Sequence, residues 1–183
     1  MSDKFLVDKV LSGETTAFAD IIKNTEALVA QIVFKMINHP DDRKDIAQDI
    51  YLKIYKNLAG FKFGSKLSTW IAQVSYNTCL DYIRKKKLSF PGTIEETEID
   101  ASLSDETEVL IHQRELSTIL NEGIGKLPPV YKTLIALYHT EELSYEEIVQ
   151  VTGLPEGTVK SYLFRARKAL KNNLLLTYQK EEI

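Results

Sequence analysis

Two helices joined by a glycine turn, at residues 143–170 (LSYEEIVQVTGLPEGTVKSYLFRARKAL), constrain this chain more than any other stretch. Ser144 followed three residues later by Glu147 is a capping-box pattern: hydroxyl and carboxylate each satisfy one orphan backbone N–H, so a helix starts here. Gly153 stops it. Pro155 has no amide proton to lose at a helix start, and the chain from Thr158 to about Leu170 is free of breakers, so a second helix follows. At about 100° per residue, Val159, Leu163, Ala166 and Leu170 fall on one stripe of that helix, which must face the core. Thr158, Ser161, Arg165 and Lys168 occupy the opposite face, flanked by Lys160, Arg167 and Lys171. Two hydroxyls and five cations can thus meet a phosphate backbone and base edges together, as a recognition helix does in a major groove. A bare helix-glycine-helix pattern is more simply a hairpin with a solvated face, but here the cations are clustered and do not alternate with acids.

On Gly157-Thr158-Val159-Lys160-Ser161 and Arg165-Ala166-Arg167, the stretch resembles region 4 of bacterial RNA polymerase sigma factors of the extracytoplasmic-function (ECF) group. In that family region 4 reads the −35 element, so the resemblance implies DNA contacts for Thr158, Lys160, Ser161, Arg165, Arg167, Lys168 and Lys171. It also implies contact with the polymerase β flap and coverage by an anti-sigma factor, and Phe164, well away from the inward stripe, suggests such a protein contact. Tyr162 stands where the family frequently has arginine, so the −35 preference cannot simply be transferred.

Net charge matters because −3 is unusual for a chain that binds nucleic acid. The acid is concentrated in the middle: residues 1–87 carry 14 Lys/Arg against 10 Asp/Glu, residues 88–114 carry 1 against 7, and residues 115–183 carry 8 against 9. Within the last segment most glutamates precede Gly157 and most cations follow it, so a local basic surface survives. Residues 88–108 (LSFPGTIEETEIDASLSDETE) hold no sustained helical stripe and read as an acidic flexible linker. Its acids could cover a basic DNA-binding face, as a phosphate mimic would.

Upstream of the linker apolar residues recur at helical spacing from Lys4 to about Leu11, from Glu14 to about Ile37 and from about Arg43 to Leu58, and strand signals are absent. The third of these helices turns Ile46, Ile50, Ile54 and Leu58 inward. Its outward face sets Asp45, Gln48, Asp49 and Leu52 one above another, displaying a leucine between polar groups. A loop, FKFGSKLSTW, then precedes a helix from Trp70 to about Lys87, with Ser68 as a plausible N-cap and a basic end at Arg84, Lys85, Lys86 and Lys87. Cations interleaved with aromatics suit single-stranded nucleic acid. Trp70 itself reads more simply as a core anchor.

These stretches also resemble the sigma family. DIAQDIYLKIYKNL (45–58) is similar to region 2.2, which docks on the polymerase β′ clamp helices, so Asp45, Gln48, Asp49 and Leu52 become core polymerase-binding residues by resemblance. STWIAQVSYNTCLDYIRKKK is similar to ECF regions 2.3 and 2.4, where a loop receives a flipped −10 base and the next helix lines the opened strand. The resemblance assigns Lys62, Phe63, Gly64, Ser65, Lys66 and Ser68 to that pocket, with Asn77, Arg84 and Lys85 on the strand.

The combined expectation is an all-α protein of two small helical domains, sigma region 2 at residues 1–87 and sigma region 4 with its helix-turn-helix at 109–183, joined by the linker at 88–108. It implies core RNA polymerase and promoter DNA as partners, the DNA duplex at −35 and single-stranded at −10. No metal cluster, glycine-rich phosphate loop or nucleophile-base pair is evident, so no cofactor and no catalysis of its own are expected. The single cysteine, Cys79, and the histidines His39, His112 and His139 read as isolated side chains. No apolar run approaches a membrane span of about 20 residues, which predicts a cytoplasmic chain with no membrane insertion. The rival reading is a conventional helix-turn-helix regulator acting on duplex DNA without polymerase, which leaves residues 45–87 unexplained.

Overall fold

The structure is a computed structural model that describes residues 3–89 and 108–181. The acidic stretch from Phe90 to Thr107, with its suggested cover over a DNA face, lies outside them. The described residues form eight α-helices: α1 (Asp3–Leu11), α2 (Thr15–Met36), α3 (Pro40–Asn57), α4 (Leu67–Ser89), α5 (Glu108–Gly125), α6 (Pro129–His139), α7 (Tyr145–Thr152) and α8 (Glu156–Glu181). A 3-10 turn, Leu58–Gly60, follows α3. None of these helices is long and apolar enough to cross a membrane.

Local chemistry explains most boundaries. Ser144 and Glu147 make both capping-box bonds, Glu147 N–H donating to Ser144 Oγ (3.2 Å) and Ser144 N–H to Glu147 Oε2 (3.0 Å), and α7 starts there. Gly153, at φ +69°, ends it in the left-handed conformation that glycine tolerates. Pro40 opens α3, with Asp41 and Asp42 in the first turn where carboxylates favour the positive helix end. One boundary differs from the sequence reading. Helix α4 begins at Leu67, three residues before Trp70, and the carboxylate of Asp3 in α1 accepts the Leu67 N–H at 2.8 Å. A residue 64 positions away thus does the capping expected of Ser68. Helix α8 also runs well beyond Leu170.

Helix α6 shows how the two ends of the chain meet. A helix lying on a surface buries one stripe, yet Lys132, Thr133, Leu134, Ile135, Ala136 and Leu137 are buried consecutively, so α6 is enclosed on opposite sides. Helices α7 and α8 pack on it from within the carboxy-terminal part, and α2 packs on it from the amino-terminal part. Helix α7 in turn lies against α4. The result is one continuous core that draws Ile21, Ile32, Ile50, Ile54 and Ile71 together with Leu134, Leu137, Ile148 and Leu163. A seam of α2–α6 and α4–α7 contacts joins the amino- and carboxy-terminal parts.

Candidate nucleic-acid interface

Val159, Leu163 and Ala166 are completely buried, which fixes the rotation of α8 and turns Ser161, Arg165, Lys168 and Lys171 to solvent. Arg165, Lys168 and Lys171 have no ion pair among the described residues and can be given to phosphates or bases. The other two cations are engaged. Lys160 pairs with Glu156 one turn back, which raises its pKa, and lies over the Tyr145 ring. Arg167 donates its Nε–H to His139 Nε2 (3.2 Å) and sits 5.0 Å from the centre of the Tyr138 ring, so α6 holds it beside the recognition face. His139 is therefore not isolated; burial first, then the Arg167 charge, hold its pKa below the usual imidazole value. Thr158 is half-buried, and Ser161 Oγ donates back to the Thr158 carbonyl (3.0 Å).

Phe164 lies away from the buried stripe, where the helical period puts it. It is 68% exposed, more than any other large hydrophobic side chain described, and lies three residues after Ser161 and four before Lys168. Those spacings put it on the same outward ridge as both.

Around the loop before α4, Phe61 is buried with its ring centre 4.8 Å from Phe63 and 5.3 Å from Trp70. Phe63 is half-exposed at φ +56°, a left-handed conformation rare for a bulky residue and of the kind that accumulates at binding sites. Lys62 and Gly64 are exposed beside it, Ser65 and Ser68 half-buried. Lys66 reaches across the seam to Glu147 Oε1 at 2.9 Å. The Ser144 N–H and then Lys66 hold the Glu147 carboxyl below its ordinary pKa. Asn77, Arg84 and Lys85 are exposed further along α4, Arg84 with Asp81 at 3.7 Å. Cys79 is buried and its thiol is pushed up to about 12 by desolvation, so it is inert packing.

The outward face of α3 carries Asp45, Gln48, Asp49 and Leu52 as expected, all exposed, with Asp49 paired to Lys53 at 2.9 Å. What the sequence did not disclose is the apolar groove beside them, about 610 Å³, lined by Phe18 and Ile22 of α2 and by Ala47, Tyr51, Leu52 and Tyr55 of α3. It exists only because α2 and α3 pack at that offset, bringing Phe18 and Tyr55 edge to face at 5.0 Å.

Comparison with known proteins places these surfaces in context. The family model described as "Sigma-70 region 2" matches residues 21–88, and "Sigma-70, region 4" matches residues 117–170. The chain is 33% identical over 182 residues to the ECF RNA polymerase sigma factor SigW of Bacillus subtilis, covering 95% of this chain and 97% of that one. To the ECF RNA polymerase sigma-E factor of Escherichia coli K12 it is 30% identical, with 95% of each covered. Its fold is similar to that of the sigma factor RpoE solved with the anti-sigma factor NepR from Bartonella quintana, at a TM-score of 0.69 and 21% identity over 86% of this chain and 96% of that one.

Proposed function

Because this chain belongs to the ECF group of bacterial RNA polymerase sigma factors, we propose that its two ends divide promoter recognition between them. As such a factor it binds core RNA polymerase and directs promoter-specific initiation, recognising −35 and −10 elements and helping to melt the −10 region. In the division proposed, residues 1–87 hold the polymerase and the opened −10 strand, residues 109–183 read −35 duplex, and 88–108 connect them. Asp45, Gln48, Asp49, Leu52 and the apolar groove form the β′ clamp-helix surface. Lys62 to Lys66 and Ser68 form the −10 pocket, and Asn77, Arg84 and Lys85 follow the displaced strand. Arg165, Lys168, Lys171 and Ser161 enter the −35 major groove, with Lys160, Arg167 and Thr158 at its edge. Bond making stays with the polymerase, so the factor is a non-catalytic specificity subunit acting in the cytoplasm. Its region 4 also meets the β flap, and an anti-sigma factor of the class bound to RpoE is its antagonist.

The observation that supports this reading is the coexistence of two nucleic-acid surfaces of different chemistry. A helix with free cations suits duplex; an aromatic loop with a left-handed phenylalanine suits an unpaired base. A regulator of duplex DNA needs only the first. The test is run-off transcription from a pool of random promoters with core polymerase, with and without this protein. Factor-dependent transcripts sharing two upstream elements at fixed spacing are expected. Their absence, alongside tight duplex binding by the free protein, would favour the regulator.

Phe164 extends the −35 assignment. A ring on the outward ridge between Ser161 and Lys168 can pack on a thymine methyl, the one apolar group in the major groove. Replacing each thymine of the −35 element by deoxyuridine should weaken wild-type binding about fourfold at one position, the worth of a buried methyl. Phe164→Ala should be indifferent to that replacement. Equal losses in both proteins would remove Phe164 from base contact.

Span sets a further condition. Elements some 25 base pairs apart lie about 85 Å apart along B-DNA at 3.4 Å per step. A compact chain of 183 residues is only about 40 Å across. With α4 packed on α7 the two readers cannot reach both elements, so the seam opens in the initiating complex.

A further inference from the structure

Away from the two nucleic-acid surfaces, a further group of cations gathers where the end of α2, the start of α3 and the start of α6 meet. Lys35 lies in the last turn of α2, Arg43 is the fourth residue of α3 and Lys132 the fourth of α6. Helix α6 packs on α2, and the charges that act on Lys132 are those of Lys35 and Arg43, both of its own sign. Arg43 is held in place: its Nε–H donates to the Ile37 carbonyl (2.9 Å), an Nη2–H donates to the Asn38 carbonyl (3.1 Å), and its guanidinium sits 3.9 Å from the centre of the Phe34 ring. Its Nη1 hydrogens find no acceptor among the described residues. Lys35 and Lys132 have neither hydrogen bond nor ion pair there. The stem of Lys132 is enclosed, with 6% of the residue exposed, but the enclosed side-chain atom without a partner among the described residues is Thr69 Oγ1, so the Lys132 ammonium reaches solvent.

All three cations are partly desolvated. Burial holds Lys35 and Arg43 below their ordinary pKa values, and burial first, then its two neighbours, does the same to Lys132. No carboxylate among the described residues offsets this. The acid next in sequence, Asp42, is committed to Tyr82 and, at 3.8 Å, to Lys86 of α4. Arg43 and Lys132 also stand in the first turns of their helices, where the positive helix end adds to the repulsion. The cations described above are either engaged, as Lys66 is with Glu147, or in open solvent, as Arg165 and Lys168 are. These three are neither. Like charges gathered in partial burial cost stability that an anion among them would offset.

We propose that Lys35, Arg43 and Lys132 form a binding site for a small phosphate-bearing anion. Their remaining N–H groups are all donors with no acceptor, the complement of a tetrahedral oxyanion. The fixed guanidinium presents its N–H groups in one plane, and two ammonium groups supply the rest of the charge. Phe34, 61% exposed, carries the arginine on its face and walls the site beside Lys35. The shallow access to Lys132 favours a compact anion over the backbone of a duplex. Because the three groups come from both sides of the seam, the anion binds the closed arrangement and stabilises it by mass action. The site requires neither promoter nor polymerase, so it stands apart from the assignment of the DNA surfaces.

The test is melting and calorimetric titration of the full chain with sodium pyrophosphate against sodium chloride at equal ionic strength. Wild type should melt higher in pyrophosphate. Lys132→Met and Lys35→Gln should each weaken pyrophosphate binding about tenfold or more, the worth of one charge-assisted contact. Lys23→Gln, at an exposed position further up α2, should bind as wild type does. If Lys132→Met disturbs packing, the half-buried Lys35→Gln still decides the matter. Wild-type melting indifferent to pyrophosphate would overturn the proposal, as would a loss in Lys23→Gln equal to that in the cluster variants. A duplex of unrelated sequence that displaces pyrophosphate, and whose own binding falls in the same variants, would assign these cations to a DNA backbone and overturn it as well.

Discussion

Arg165→Ala combined with Lys168→Ala will abolish transcription that depends on a −35 element, while the protein keeps its fold and its place on core polymerase. Both side chains are exposed and neither pairs with an acid among the described residues, so their loss removes nothing the folded chain uses. An arginine hydrogen-bonded to a base and a lysine on a phosphate are together worth about 2–4 kcal/mol, roughly 30- to 1,000-fold in promoter affinity. The dependence of binding on salt should also flatten by about one counterion, for the phosphate that Lys168 releases. Arg167→Ala is the contrasting variant: tied to His139 and Tyr138, it should cost stability before it costs DNA affinity. Measuring affinity for a selected −35 duplex and melting temperature together checks the assignment. Undiminished transcription by the double variant would mean that α8 meets DNA by another face.

The second large effect is on assembly. Leu52 is 57% exposed at the rim of the apolar groove, so Leu52→Ala leaves the free protein's melting temperature nearly unchanged. Seated in a partner's pocket, the same side chain becomes a central apolar anchor, and truncating such an anchor commonly costs about 2 kcal/mol or more, some 30-fold in affinity. Holoenzyme formation, followed by fluorescence anisotropy against labelled core polymerase, should fall accordingly. Asp45 and Asp49 act differently. Replacing them should slow association in a salt-dependent way, with Asp45 dominating because Asp49 is partly occupied by Lys53. Wild-type affinity of Leu52→Ala would direct the search for the docking face elsewhere.

How much of this was readable beforehand depends on the distance over which each feature is determined. The capping box at Ser144, the glycine stop at Gly153 and the inward stripe of α8 are local in sequence, and each appears where its pattern puts it. The outward acids and leucine of α3 follow from helical period alone. Features made by packing were not readable. The groove needs α2 against α3, the Arg167–His139 contact needs α8 against α6, and the consecutive burial of α6 needs α2 on its far side. Lys132 illustrates the limit well: helical period gave no inward place to a lysine in the middle of that helix, and only the second layer of helices buries it.

The bond from Leu67 N–H to the Asp3 carboxylate ties the first helix to the start of the helix that carries the −10 surface. Trimming or re-engineering the first few residues, none of which is named among the promoter- or polymerase-contacting side chains, would leave that amide uncapped and loosen the aromatic loop beside it. Amino-terminal truncations of this protein should therefore keep Asp3, and a promoter-opening defect seen after its removal should first be traced to the lost cap.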